Sequence, residues 1–348
     1  MTTVYLIRHA EADGNLYRRA HGHYDAAITD NGYRQIAALA KRFENTRVDA
    51  VYASDLTRTR TTALAITRLH GLPLQPDARL RETGIGEWED KTWAWLARFD
   101  RERLVAFNSD AGRWHVDGGE DMTAVRARVT EALRDIVAAN PNRTVAVFSH
   151  GMVLRLLIGT LRGLSIAEID RTHHGENTAV TKLEADEGGI RVVYAIDHSH
   201  LSDELTTLHK QVWVKNPDGI EPGVWFAPDK SAAGRFDAMS EDTRVGTVAV
   251  RALGAGVAAL EAFRLDDALR RQGFEARLLG QAVSHARTLG CDTLRMTLPE
   301  GDADAARRAA ELGFRAAGER AAEKYIGRDE QYRAARFDEA WAALNEKA

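Results

Sequence analysis

The chain has 348 residues, a formal net charge of -4, 44% hydrophobic and 28% charged residues, a composition that supports two globular domains. The near-neutral charge excludes a protein that holds nucleic acid on a bulk basic surface, though not one with a local cationic pocket. A lone cysteine, Cys291, excludes an intramolecular disulfide framework. No apolar run is long enough to span a bilayer and the N-terminus lacks the features of a signal peptide, so no membrane contact and a cytoplasmic, metabolite-facing protein are expected.

In chain order, Val4 to Ile7 reads as a strand, and Asn31 to Phe43 has helical periodicity with Ile36, Leu39, Ala40 and Phe43 on one side. Val48 to Ala53 is a second strand. Thr57 to His70 is a helix closed by Gly71 and Pro73. Met122 to Ala139 is a long helix ended by Asn140 and Pro141. Thr144 to Phe148 is a buried strand, and Met152 to Leu161 a helix that stops near Gly163. Strands alternating with helices imply an α/β domain with a mostly parallel sheet covered on both faces. Residues 202–244 lose regular periodicity and carry turn signals at 216–219, 222–223 and 228–229. The boundary is expected near 201–206, giving domains over 1–203 and 204–348. Val245 to Val250, a helix from about Gly273 to Leu289, a strand Thr293 to Leu298 and a helix Ala303 to Leu312 follow. Phe337, Trp341 and Leu344 mark a C-terminal amphipathic helix.

Two strands of the first half end alike, in Arg8-His9-Ala10-Glu11 and in Ser149-His150-Gly151. Ligands of open parallel sheets bind outside the carboxyl ends of the strands. Both histidines therefore arrive at one rim, where Ala10 and Gly151 let backbone approach a ligand. Arg58 follows a third strand at the start of a helix, where amides and dipole favour an anion. Two arginines and two histidines suit a tetrahedral dianion, because guanidinium forks match phosphate oxygens. A phosphate ester also needs a proton for its leaving alkoxide. Glu82 is the general-acid candidate, since a nearby dianion disfavours its ionised form; Glu87 and Glu89 are the alternatives. The segment with Trp88, Trp93, Trp95, Arg98, Arg101, Arg103 and Trp114 is expected to cover the pocket and set specificity. The histidine pairs 21/23, 173/174 and 198/200 lack a metal-site arrangement, so no metal is expected. His21 and His23, with Arg18 and Arg19, are placed at the pocket border.

The run Arg8-His9-Ala10-Glu11, Asn15, Thr29-Asp30-Asn31-Gly32, Ser54-Asp55-Leu56-Thr57-Arg58, Arg81-Glu82, Gly119-Glu120, Ser149-His150-Gly151 and Asn177 resembles the histidine phosphatase superfamily, with the phosphoglycerate-mutase-like three-layer fold, over residues 3–201. The resemblance implies a phosphohistidine on His9, phosphate oxygens held by Arg8, Arg58 and His150 with Asn15 as a further contact, and Glu82 protonating the leaving group and then activating water. It implies no required cofactor and a small phosphorylated metabolite as partner. Arg18, His21, Trp93 and Gly151 are assigned to substrate binding. Ala10 and Asp90 stand where glycine is common in that family, at positions expected to lie outside the chemistry. The short stretch after Trp93–Phe99 favours hydrolysis over a bisphosphate-dependent mutase.

Residues 245–327 resemble a GNAT-type acetyltransferase, an α+β fold, through Arg270-Arg271-Gln272-Gly273-Phe274-Glu275 and Glu311-Leu312-Gly313-Phe314. The resemblance implies acetyl-CoA held at Arg271 and Gly273. Glu275 stands where a small residue belongs and its carboxylate opposes a pyrophosphate; Ala309 stands where a tyrosine often protonates the thiolate. This domain is therefore expected to be structural or degenerate, kept for stability, homodimer formation or shaping the neighbouring pocket. The alternatives are a bifunctional phosphatase/acetyl-CoA-dependent N-acetyltransferase and a non-catalytic phospho-ligand-binding or scaffolding protein.

Overall fold

Strand β1 (Thr2–Arg8) is central to the first sheet of this computed structural model, which describes residues 1–211, 214, 216, 220 and 223–346. Strands β2 (Ala50–Ala53), β3 (Leu74–Pro76), β4 (Thr144–Ser149), β5 (Val180–Asp186) and β6 (Gly189–Asp197) complete it in the order β3-β2-β4-β1-β5-β6. The first four run parallel, and the β5–β6 hairpin adds antiparallel to β1. Side chains alternate across the pleat. Val4, Leu6, Val145 and Val147 enter one core with Val129 and Leu133 of α7 (Met122–Ala139) and Leu156 of α8 (Gly151–Leu161). Ile7, Ala146 and Phe148 enter the other with Ile36 and Leu39 of α2 (Asp30–Phe43). Helices thus cover both faces of a mixed sheet, in an α/β domain.

The expected helix over 57–70 is two helices, α3 (Thr57–Thr62) and α4 (Leu64–His70), meeting at Ala63. Thr61 and Thr62 turn their hydroxyls back onto the carbonyls of Thr57 and Arg58, both at 2.7 Å, contacts that bend helices. Short helices α1 (Asp13–Leu16), α5 (Trp93–Phe99) and α6 (Arg101–Ser109) lie in the loops above the strand ends.

The second sheet corrects the expectation of an irregular stretch over 202–244. Strands β7 (Trp225–Pro228) and β8 (Arg235–Ser240) form within it. Strands β9 (Thr243–Gly254) and β10 (Val257–Leu265) form a long hairpin turning at Gly254, Ala255 and Gly256, all at positive φ. With β11 (Thr293–Thr297), β12 (Arg315–Ala316) and β13 (Ala321–Tyr325) the order is β12-β13-β11-β10-β9-β8-β7. Helices α9 (Asp267–Arg270), α10 (Phe274–Thr288) and α11 (Ala303–Glu311) complete this GNAT-like unit. The turn signals at 217–219 and 222 lie outside the described residues. The final helix, α12 (Glu330–Asn345), returns to the first sheet: Phe337 is 4% exposed in the core that contains Ile36 and Leu39. Among the described residues no helix is long and apolar enough to cross a membrane.

Candidate active site

Strands β1 and β4 are neighbours in register, with Arg8 opposite Ser149, so the residues that follow them leave the sheet side by side. The His9 and His150 rings lie 5.3 Å apart, and the side chains are 6% and 0% exposed. Nδ1 of His9 is 2.7 Å from the Ala10 carbonyl oxygen. A carbonyl only accepts, so Nδ1 carries the proton and Nε2 keeps its lone pair. Burial, then the charges of Arg58 and Arg8, hold the His9 pKa well below its ordinary value and keep the ring neutral.

Arg58 is 2% exposed at the start of α3. Its three nitrogens reach Nδ1 of His150 at 3.1 Å, the Tyr24 carbonyl at 2.9 Å and the Gly22 carbonyl at 2.7 Å. The first of these bonds makes Nδ1 of His150 the acceptor and puts the ring proton on Nε2, which is buried without a partner among the described residues. Arg8 donates to the Gly175 carbonyl through Nη1, and its Nε is likewise buried without a partner among the described residues. Gly22 is required by close packing: a Cβ there would lie 2.2 Å from the Thr83 carbonyl oxygen. Asp25 anchors the start of α3 by accepting from the Thr57 amide and hydroxyl, both at 2.7 Å.

Glu82 reaches the site from a loop fixed from behind. Arg128 of α7 donates to the carbonyls of Arg79, Arg81 and Glu82 and pairs with Glu120 at 2.8 Å. The Glu82 carboxylate accepts from the amides of Thr83 at 2.9 Å, Met152 at 3.0 Å and Val153 at 3.2 Å, the last two at the N-terminus of α8. The alternatives stand elsewhere. Glu89 accepts from the amides of Gly22, His23 and Tyr24, organising that loop, and Glu87 pairs with Arg103 at 2.7 Å.

Arg8, His9, Arg58, Glu82, Asn15, Arg18, His21, Trp93 and Gly151 all line one cavity of about 160 Å³. Leu104, Phe107, Leu208 and Ile220 add an apolar wall. The last two come from the segment between the two sheets. That segment is tied down by Glu176, which accepts from the amides of Thr207, Leu208 and His209, and by Glu11, which accepts from the Thr207 hydroxyl at 2.9 Å. No motif marks Leu208 or Ile220 in the sequence.

One expectation needs correction. The covering segment brings Trp93 to the cavity but not its basic residues: Arg98 pairs with Asp242 at 2.7 Å and stacks on Trp225, and Arg103 pairs with Asp100 and Glu87. Trp88 and Trp114 pack with Phe107 as the core of that segment. His174, given no role from the sequence, also lines the cavity. Asp90 is not among the cavity-lining residues but braces two that are, His21 and Arg19. It holds a left-handed conformation at φ 61° and binds Nε2 of His21 at 3.0 Å and Nε of Arg19 at 2.5 Å. It also accepts from the Ser284 hydroxyl of α10.

In the second unit, Gly273 caps α10 at φ 83° and Arg271 ends α9. Glu275 occupies the first turn of α10, its Oε1 3.7 Å from Nε of Arg270, with its pKa raised by burial. A carboxylate in that turn does not fit the pyrophosphate of coenzyme A. Ala309 is buried at 2% exposure and offers no hydroxyl.

The model of the histidine phosphatase superfamily (branch 1) matches residues 4–198. The chain belongs to that superfamily. It is a phosphatase- or mutase-like enzyme, and its residues 201–314 match the model of the acetyltransferase (GNAT) family. The probable phosphoglycerate mutase GpmB of Erwinia tasmaniensis is 31% identical over 208 residues, covering 58% of this chain and 96% of that protein. The same-named protein of Yersinia pestis is 32% identical over 215 residues, covering 59% and 99%. Among solved structures, YhfR of Bacillus stearothermophilus aligns with a TM-score of 0.56 at 31% identity, covering 58% of this chain and all of that one. A mycobacterial glucosyl-3-phosphoglycerate phosphatase, solved in complex with VO3, aligns with a TM-score of 0.52 at 27% identity, covering 55% and 96%.

Proposed function

We propose that this superfamily member hydrolyses a phosphomonoester of a small metabolite through a phosphohistidine on His9. The observation that carries this reading is the hydrogen bond from Nδ1 of His9 to the Ala10 carbonyl, which leaves the Nε2 lone pair available in a residue lining the cationic cavity. In the first step Nε2 attacks phosphorus, the phosphorus–oxygen ester bond breaks, and the carboxyl proton of Glu82 goes to the departing alkoxide. In the second, Glu82 takes a proton from water, the resulting hydroxide attacks phosphorus, and the phosphorus–nitrogen bond breaks to return neutral His9. Arg8, Arg58 and the Nε2–H of His150 hold the phosphoryl oxygens, with Asn15 beside them. Stabilising spread charge in a fixed geometry is most of what phosphoryl transfer requires.

Trp93, Leu104, Phe107, Leu208 and Ile220 favour a substrate whose alcohol part is apolar or ring-bearing. For the C-terminal unit we infer a structural role, in which the connecting segment walls the cavity and α10 props its floor. Full-length protein is expected to release phosphate from an aryl phosphate in the presence of chelator, and His9→Ala to lose that activity by at least about a thousandfold. Activity retained in His9→Ala sinks the proposal. The relatives named as mutases supply the second reading, and conversion of 3-phosphoglycerate to its 2-isomer without phosphate release would establish it.

A further inference from the structure

A second cavity, of about 290 Å³, lies where the two sheets and α12 meet. It is close to the lower end of the range of about 300–1,000 Å³ typical of small-molecule sites. It is separate from the turn at Arg271 and Gly273. Strands β10 and β11 are parallel with Val257 opposite Thr293; Thr293 lines the cavity at the starting end of these strands, whereas the Gly273 turn follows the finishing end of β10.

The charges facing this cavity do not balance. Its acidic residues are each matched: Asp13 to Arg287 at 2.7 Å, Glu323 to Arg295 at 2.7 Å, and Asp30 to Arg336. Four further cations line it: Arg315, which pairs with Glu339 at 3.1 Å, and Lys324, Arg328 and Arg333. Among the described residues, the Nε of Arg328, which lies over the Tyr24 ring, is buried and unpartnered, and Arg333 donates only to the Thr61 hydroxyl and the Asp329 carbonyl. Lys324 has neither hydrogen bond nor ion pair among the described residues; burial pulls its pKa down, against the charges of Asp30 and Asp13. The Tyr17 hydroxyl on the same wall is 1% exposed and also unpartnered. Cations at least partly buried without a carboxylate in direct contact are costly, and an anion with oxygens to share removes that cost. The exposed residues Arg315 to Ala317 leave the mouth at the surface.

We propose that this cavity is a second, non-catalytic binding site for a compact polyanionic metabolite, one carrying a phosphate group or paired carboxylates. Lys324, Arg328 and Arg333 supply its charge, and Tyr17, Tyr33 and Tyr332 its hydroxyls and ring walls. The site shares a wall with the catalytic cavity: Gly14 and Asn15 of α1 face one, Asp13 and Tyr17 the other. The proposal does not depend on the chemistry assigned to His9.

The test is calorimetric titration of the full chain with pyrophosphate and, separately, with citrate, probing the phosphate and carboxylate forms of the ligand. At least one probe is expected to occupy a site that remains when the catalytic cavity is saturated, as judged by complete inhibition of aryl phosphate hydrolysis. Lys324→Met combined with Arg328→Gln is expected to weaken that site by about tenfold or more, the scale of a lost charge-assisted hydrogen bond. Its kcat and KM for the aryl phosphate should stay within about twofold of the wild type. If the double variant does not fold, Lys324→Met alone, which keeps the buried stem, carries the same expectation. A single site for both probes, or a second site indifferent to these substitutions, overturns the proposal.

Discussion

Glu82 is bound to three backbone amides, so replacing it by glutamine keeps a carbonyl acceptor in place while removing the transferable proton and the base. General acid–base catalysis contributes about 10²–10⁴-fold. Glu82→Gln is therefore expected to lower steady-state turnover of an alkyl phosphate by that amount. An aryl phosphate, whose alcohol leaves without help, is still expected to phosphorylate His9. It should then stall, because no base activates water. Rapid mixing should show a burst of one phenol per site, with an acid-labile phosphoenzyme. Equal slowing of burst and steady state for the aryl ester would remove Glu82 from both steps. The residues of this step were legible because strand ends and helix starts are where chemistry gathers in parallel sheets. His174, Leu208 and Ile220 were not. They reach the cavity on loops whose paths depend on contacts such as Asp90 with Arg19 and Glu176 with the 207–209 amides, and no periodicity encodes such paths.

Helices with long apolar stripes, α2 and α7, were legible for the same reason that they are stable, namely a continuous face for the core. The hairpins were missed although their signals were present. Gly188 and Gly189 separate two alternating runs at β5 and β6, and Gly254-Ala255-Gly256 does the same for β9 and β10. Small residues such as Ala249, Ala252, Ala258 and Ala259 mask the alternation in the second pair. One element contact has a functional consequence. A Cβ on Gly280 of α10 would lie 2.5 Å from Tyr17 Cβ and 2.7 Å from its Cγ, so α10 and the end of α1 are in contact with no room between them. Gly280→Val overpacks this contact at a cost of about 1–3 kcal/mol and displaces α1, which carries Asn15 into the catalytic cavity. A fall in kcat/KM of about tenfold or more is expected, since misplacement by about 1 Å can cost about a hundredfold. A variant with a lower melting temperature and unchanged kcat/KM would show that α10 does not support the site.

At the scale of the whole molecule, the two sheets are joined by more than a connecting segment. Arg287 of α10 pairs with Asp13, Ser284 donates to Asp90, and α12 packs on α2. His9 and His150 are buried and His21 and His200 partly buried, and these four histidines set how the first unit responds to acid. Burial and then neighbouring arginines hold His9 and His150 well below the ordinary value, burial lowers His21 against its bond to Asp90, and burial and then Arg42 bring His200 down to about 3. In the unfolded chain each titrates near 6.5. Between that value and its lower folded pKa, each histidine binds more protons unfolded than folded. Stability therefore falls as pH falls, by about 1.4 kcal/mol per pH unit for each such group. Carboxylates act in the same direction but lower on the scale: burial pushes Glu120 up, yet His23, Arg128 and the Gly84 amide bring it to about 2, so its contribution is lost only below about pH 4.5. Calorimetric melting temperatures should thus begin to fall near pH 6.5, well above the carboxylate range. Inorganic phosphate in the catalytic cavity should flatten the decline, because an anion beside His9 and His150 favours their charged forms. A melting temperature constant from pH 7.5 to 5, or a decline that phosphate leaves unaltered, would mean that these imidazoles are not held neutral at the core of the folded site.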